Sequence, residues 1–161
     1  MNPYKVSFFG HRYISPLMYK ELEARLDRLI LDIINQKDEI EFRVGYGGDF
    51  NTLVSSSIKR IKKFSCEDNA MMTLVLPYEC AVLKNNLSSF MNYYDWIDIC
   101  EESETAHPKK AYEICNRCMI DDSDLVIFFV NQNSGGAYKA YKYALSKKVK
   151  LINIAKANKC K

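Results

Sequence analysis

The stretch that most limits what this chain can fold into runs from Leu125 to Val130 and reads Leu-Val-Ile-Phe-Phe-Val. Six consecutive apolar residues, most of them β-branched or aromatic, suit a strand buried on both faces, as in a parallel sheet covered by helices. Asn131, Gln132, Asn133, Ser134, Gly135 and Gly136 follow, and then a segment with helical spacing from Ala137 to Leu145. Paired glycines allow a sharp turn and let a ligand approach the backbone closely. A helix that starts there aims unpaired N–H groups at the turn, where they attract anions, phosphate above all. This junction predicts a phosphate-bearing ligand, with Ser134, Gly135 and Gly136 in contact with it.

The rest of the chain repeats the alternation. Residues 5–9, 41–44, 72–76, 96–99 and 150–154 read as further strands. Pro16 opens an amphipathic helix over 16–36, with Ser15 as its cap and Leu22, Leu26, Leu29, Ile30, Ile33 and Ile34 on one face. A second helix is expected over 51–64, a short one near 79–87, a third opening at Pro108, and a last over 136–146. Strand–helix alternation of this kind predicts a single α/β domain. Its sheet is mostly parallel, has five to six strands, and carries helices on both faces. The domain is expected to span 1–155, followed by a basic tail over 156–161. All six glycines (Gly10, Gly45, Gly47, Gly48, Gly135, Gly136) fall just after expected strands. In such sheets ligands sit beyond the carboxyl ends of the strands, so the glycine turns point to one shared site.

Composition narrows the classes. The chain has 161 residues, 48% hydrophobic and 27% charged, with 23 basic and 20 acidic residues. A net charge of +3 lacks the clustered bias of a dedicated nucleic-acid binder, and nucleic acid is not expected as a partner. Lys59, Arg60, Lys62 and Lys63 read as solvated charge near a helix C-terminus. No apolar run approaches the ~20 residues of a membrane span, and the N-terminus lacks a secretory core. A cytoplasmic protein with reduced thiols is expected. The pair Cys115-x-x-Cys118 lacks a second ligand pair, so packing is the expected role and no metal or cofactor is assigned.

Single residues at the turns carry the chemistry. Arg12 offers a bidentate phosphate contact, and His11 a donor or an acid–base group. Asp49 suits either a helix cap or a ribose hydroxyl. His107 reads as a helix-start residue. Asn116 and Arg117 sit late on the third helix, with Arg117 off its apolar stripe and placed to reach sideways to the crevice. Tyr138, Tyr141 and Tyr143 point in several directions on one helix, so one or more is expected to face a partner subunit or stack on a base.

Six ordered motifs resemble the SLOG superfamily of Rossmann-like domains. They are Phe9-Gly10-His11-Arg12, Gly45-x-Gly47-Gly48-x-Phe50, Leu76-Pro77-Tyr78, Tyr94-Asp95, Asn116 through Asp124, and Gly135-Gly136-Ala137. They are most similar to the YpsA-like branch of Gram-positive bacteria and their phages. The resemblance implies a nucleotide-like ligand, with Gly135 and Gly136 cradling a phosphate and Gly10, Arg12 and Arg117 lining the same pocket. With the turn and motif residues His11, Gly45, Gly47, Gly48, Asp49, Phe50, Pro77, Tyr78, Asp95, Asn116 and Ser134 these make up the expected ligand-binding set. It also implies a homodimer or higher homo-oligomer. LOG-type relatives are phosphoribohydrolases, and Arg117 matches their helical arginine. Ser134, Tyr138, Lys139 and Lys142 stand where that signature has Pro, Gly, Thr and Glu. Without the Glu, binding rather than hydrolysis is expected, and no catalytic residue is assigned. The leading expectation is sensing or sequestering of a nucleotide-derived signal of ADP-ribose or cyclic type, as in a phage anti-defence sponge. The alternatives are a nucleoside monophosphate or nucleotide-sugar enzyme and a single-stranded nucleic-acid module.

Overall fold

A computed structural model of the chain describes residues 2–155, and its elements alternate as the sequence pattern requires. In order they are β1 (Tyr4–Gly10), α1 (Pro16–Gln36), β2 (Ile40–Val44), α2 (Asp49–Ser65) and β3 (Ala70–Leu76). Then come α3 (Ala81–Asn85), α4 (Leu87–Tyr93), β4 (Trp96–Ile99) and α5 (Glu101–Glu104). The chain continues through α6 (Pro108–Asp121), β5 (Leu125–Phe129), α7 (Gly136–Lys147) and β6 (Leu151–Asn153). The basic tail expected over 156–161 lies outside the described residues.

All strand pairs are parallel, and the sheet order is β4-β3-β2-β1-β5-β6. This is a single α/β domain of the Rossmann-like kind. The order runs outward from β1 in one direction through β2, β3 and β4, then in the other through β5 and β6. The switch point therefore lies between β1 and β5, where a ligand crevice forms in sheets of this type. Gly10 at the end of β1 lies opposite Phe129 at the end of β5.

β5 is buried on both faces, as its unbroken apolar run dictates. Leu125, Ile127 and Phe129 join the core under α1 and α2, with Leu22, Leu26, Ile30, Leu53 and Ile58. Val126 and Phe128 join a second core under α6 and α7, with Cys115, Met119, Ala140 and Ala144. The spacing read along α1 holds: Leu22, Leu26, Ile30, Ile33 and Ile34 are buried. Its start differs in detail. Ser15 makes no side-chain cap, and Pro16 at the first helical position shapes the entry instead.

The stretch between β3 and α6 is more finely divided than its sequence suggests. In place of one short helix there are three, α3 and α4 before β4 and α5 after it. Asn86 sits between α3 and α4 and terminates both. The carbonyl of Cys100 accepts from the amides of Ser103 and Glu104 to form α5. The buried Ser103 hydroxyl then donates to the Pro77 carbonyl at 2.6 Å and pins α5 to the end of β3. Among the described residues, no helix is long and apolar enough to cross a membrane.

The floor of the switch point is a close approach. A Cβ built on Gly10 would sit 2.3 Å from the Phe50 ring, and that ring stacks on Phe129 with centroids 5.9 Å apart. Gly10→Ala is expected to lower unfolding stability by about 1–3 kcal/mol, the usual cost of overpacking a filled core. Urea denaturation with an unchanged slope would show this.

Candidate nucleotide-binding site

The carboxyl ends of β1, β2, β3 and β5 open into a cavity of about 680 Å3. Each strand contributes the turn that follows it. From β1 come Gly10, His11, Arg12 and Tyr13, and from β2 come Gly45, Tyr46 and Gly47. Pro77 stops β3, and Tyr112, Cys115 and Asn116 project from α6. Gln132, Ser134, Gly135 and Gly136 close the far side at the start of α7.

The N-terminus of α7 is uncapped by any side chain. Gly135 precedes it with φ 93°, a left-handed conformation that glycine adopts without strain. No heavy atom lies within 4 Å of the Cβ position at Gly135 or at Gly136. α7 thus begins beside open space at the cavity, and a helix start of that kind is where an anion is held. Across the cavity, the turn after β2 is closed by Asn51, whose side-chain amide donates to the Gly47 carbonyl at 2.8 Å.

Charge is distributed simply. Among the described residues no Asp or Glu lines the cavity. Arg12 does line it and is exposed. It forms no ion pair among the described residues. Its guanidinium lies against Gly47, and its backbone carbonyl accepts from the Asp49 amide at 2.7 Å. A lone cation, helix-start amides and no carboxylate make the cavity attractive to an anion.

His11 has a different part from the one its residue type suggests. Its Nε2 accepts from the amides of Asn131 and Gln132, both at 3.2 Å. Its ring meets Phe129 edge-on. An accepting Nε2 means a neutral ring, and burial lowers its pKa below the ordinary value. His11 thus ties the turn after β5 to β1 as a neutral acceptor.

A second cavity of about 470 Å3 adjoins the first. Gly45, Tyr46, Gly47 and Asn51 line both. It runs between α2 and α4 and is walled by Tyr46, Phe90, Tyr93 and Tyr94. Tyr46 packs on Phe90 at 5.3 Å, Phe90 stacks on Tyr94 at 6.1 Å, and Tyr93 meets Tyr94 edge-on at 4.9 Å. Burial, with Tyr93 and Tyr46 alongside, pushes the Tyr94 hydroxyl up to about 12, so it stays neutral. Sequence reasoning missed this groove and also Tyr13, Asn51, Tyr112 and Gln132. The available signal was the Tyr93-Tyr94 pair in a segment without a clean helical period.

The structure sorts the residues expected at the site. Gly10, His11, Arg12, Gly45, Gly47, Pro77, Asn116, Ser134, Gly135 and Gly136 line the main cavity. Gly48, Asp49, Phe50 and Tyr78 stand behind it. A Cβ on Gly48, at φ 85°, would lie 2.9 Å from the Arg12 Cα. Asp49 does not meet a ligand-facing space; its carboxylate accepts from the Ile14 amide at 2.9 Å and anchors the β1–α1 turn. Tyr78 supports Tyr112 edge-on. Two residues lie elsewhere. Arg117 pairs with Glu113 at 2.9 Å and lies over the Tyr143 ring, away from the crevice. Asp95 precedes β4 and so sits at the opposite edge of the sheet, paired with Lys62 and the Met72 amide. Burial raises its pKa, but those hydrogen bonds outweigh it and hold the group below the usual range.

Other expectations resolve locally. His107 does start α6, its Nδ1 accepting from the Lys109 amide. Cys115 is buried and Cys118 half-buried, and burial pushes the Cys115 thiol up to about 12, so it is no nucleophile. Within the chain, Tyr141 meets Phe128 edge-on and Tyr143 donates to Asp121. Three of the four cations near the end of α2 are engaged: Lys59 on Tyr93, Arg60 with Asp27, and Lys62 with Asp95.

No protein-family model and no curated protein matches this chain. Solved structures do. DNA processing protein A from Streptococcus pneumoniae superposes with a TM-score of 0.68 at 14% identity, covering 98% of this chain and 52% of that one. The same protein from Helicobacter pylori, described for its single-stranded DNA binding mode, superposes at 0.61 with 16% identity, covering 92% and 64%. The fold is shared with DNA processing protein A. This chain spans about half to two thirds of those proteins. The likeness agrees with the superfamily resemblance at the level of the fold.

One expectation is overturned here. Nucleic acid is not expected as a partner for want of a basic cluster, and a single-stranded nucleic-acid module stands only as an alternative, yet a neighbour of the same fold is described for binding single-stranded DNA. The physical reason is that a single strand is held by stacking and by backbone amides as well as by basic side chains, so a modest net charge excludes nothing.

The His11 bonds give a pH signature. The folded pKa lies below the unfolded value of about 6.5, so the unfolded chain takes up the proton first as pH falls. This contribution to stability is complete above about pH 6.5 and declines below it. His11→Gln is expected to remove that part of the decline. Thermal midpoints of both proteins between pH 7.5 and about 5, with amide exchange at Asn131 and Gln132, measure it.

Proposed function

We propose that this chain binds single-stranded nucleic acid, with phosphate held at the switch-point cavity and bases stacked along the adjoining aromatic groove. The observation that carries the reading is the adjacency of the two cavities, which share Gly45, Tyr46, Gly47 and Asn51 as lining. An anion cradle next to four aromatic rings is the combination that single-stranded binders use, since every base offers a face for stacking whatever the sequence. The shared fold with a protein described for single-stranded DNA binding supports it. So does the lining itself, which offers no carboxylate to repel a phosphate. Assignment to the YpsA-like branch rests on the ordered motifs, and with it goes a cytoplasmic setting and a single domain over 1–155.

A second reading keeps to the main cavity alone. Its volume and single cation suit one isolated nucleotide-derived molecule, of ADP-ribose or cyclic type, bound or sequestered without turnover. For a LOG-type hydrolase the cavity provides no general acid or base among its carboxylates.

Fluorescence anisotropy with labelled oligo(dT) separates these. Wild-type protein is expected to bind with an affinity that falls as salt rises. Arg12→Ala should weaken binding and reduce the salt slope by about 1. Tyr93→Ala should cost about 1–3 kcal/mol while leaving affinity for a mononucleotide unchanged. Arg117→Ala should bind as wild type does, because its side chain is turned away from the cavity. Tight binding of a free nucleotide derivative with none of the oligonucleotide would replace the first reading by the second.

A further inference from the structure

Behind one wall of the main cavity, thiols and a carboxylate converge where α5 meets α6. Cys100 follows β4 and precedes α5, Glu102 lies in the first turn of α5, and Cys115 and Cys118 are one turn apart on α6. Spacing alone leaves Cys115-x-x-Cys118 without a second ligand pair. The fold supplies one, Cys100-x-Glu102. The Cys100 and Cys118 sulfurs and a Glu102 carboxylate oxygen all lie within 4.8 Å of one another. The Cys100 thiol donates to Glu102 Oε2 at 3.3 Å. Cys115, one turn before Cys118 on α6, packs in the same buried cluster as Cys100 but stands outside this group of three.

We propose that Cys100, Cys118 and Glu102 form a binding site for a thiophilic divalent cation of the zinc class. Donor type fits. Thiolate sulfur selects such metals over magnesium or calcium, and three protein ligands leave the fourth tetrahedral position of zinc to water. Zinc–sulfur bonds of about 2.3 Å and zinc–oxygen bonds of about 2.1 Å place ligand atoms roughly 3.6–3.8 Å apart. The three donor atoms, all within 4.8 Å of one another, lie near that spacing.

The electrostatics agree. Several anions this close together repel one another when no cation lies between them. The crowding that disfavours several anions favours them around a dication, which reverses the local logic of ionisation. Each thiol that ligates releases one proton to solvent as the metal enters. A bound ion would tie β4 and α5 to α6. Cys115 and Asn116 of α6 line the main cavity, and so does Pro77, which Ser103 of α5 holds. The ion would thus brace one wall of that cavity. This inference stands independently of the ligand reading.

Cobalt reports on such a site directly. Full-length protein, reduced and stripped with a chelator, is titrated with Co2+ and then with Zn2+. One equivalent of Co2+ should give thiolate-to-cobalt charge-transfer absorption and the strong visible bands of tetrahedral cobalt, and one equivalent of Zn2+ should bleach both. Cys66→Ser, at an exposed cysteine outside the group, should leave the titration unchanged. Cys118→Ser and Glu102→Gln should each weaken Zn2+ binding at least about tenfold, the lower end of what even outer-shell partners contribute. Glu102 is exposed, so its replacement leaves the core intact and still tests the site. Absence of the charge-transfer band in reduced wild-type protein would overturn the proposal. So would a band that survives both variants, or a Cys100–Cys118 disulfide as the stable state under air with no metal uptake after reduction.

Discussion

The approach of Gly10 to the Phe50 ring sets the position of everything above it. β1 can lie against that ring only because Gly10 has no side chain, and the ring in turn stacks on Phe129 of β5. The contact joins β1, β5 and the first turn of α2 at the place where strand order reverses. Two further bonds make the junction rigid. The Asp49 amide donates to the Arg12 carbonyl, and its carboxylate accepts from the Ile14 amide. Arg12 is thereby presented to the cavity by its backbone, so its guanidinium stays unpaired among the described residues. The lone cation of the site is a product of packing below it.

Much of the fold was legible in the sequence, for a definable reason. Strands that are buried on both faces must be continuously apolar, and residues 125–130 meet that rule; long helices between two solvents must repeat every three or four residues, and α1 does. Glycines at strand ends are equally readable, since backbone conformation and close approach both exclude other residues there. These three signals locate the sheet, its helices and the turns that line the main cavity.

What escaped reading depends on side chains meeting across distance. Arg117 is off the apolar stripe of α6, as its position predicts, but Glu113 one turn earlier and Tyr143 on α7 draw it outward. Asp95 lies beside the motif residues in sequence, yet the start of β4 places it at the sheet edge opposite the crevice. The helices between β3 and α6 are too short to show a period, so Phe90 and Tyr93 read as loop residues when they form a wall. Cys100 and Glu102 lie on either side of a residue that carries no pattern, and only the packing of α5 on α6 brings them to the C-x-x-C pair. Apart from Glu113 and Arg117, which are only one helical turn apart, these pairings are long-range and leave no trace in local spacing.

The partition between the two cavities has a consequence of scale. It consists of a glycine-bearing turn and Asn51, which bonds the turn to itself through the Gly47 carbonyl. A molecule no longer than one compartment meets this partition as an end wall. A longer one meets it as a threshold and must lie across it to fill both compartments. On the proposed reading the partition would act as a ruler, separating ligands by length before any base or sugar is met.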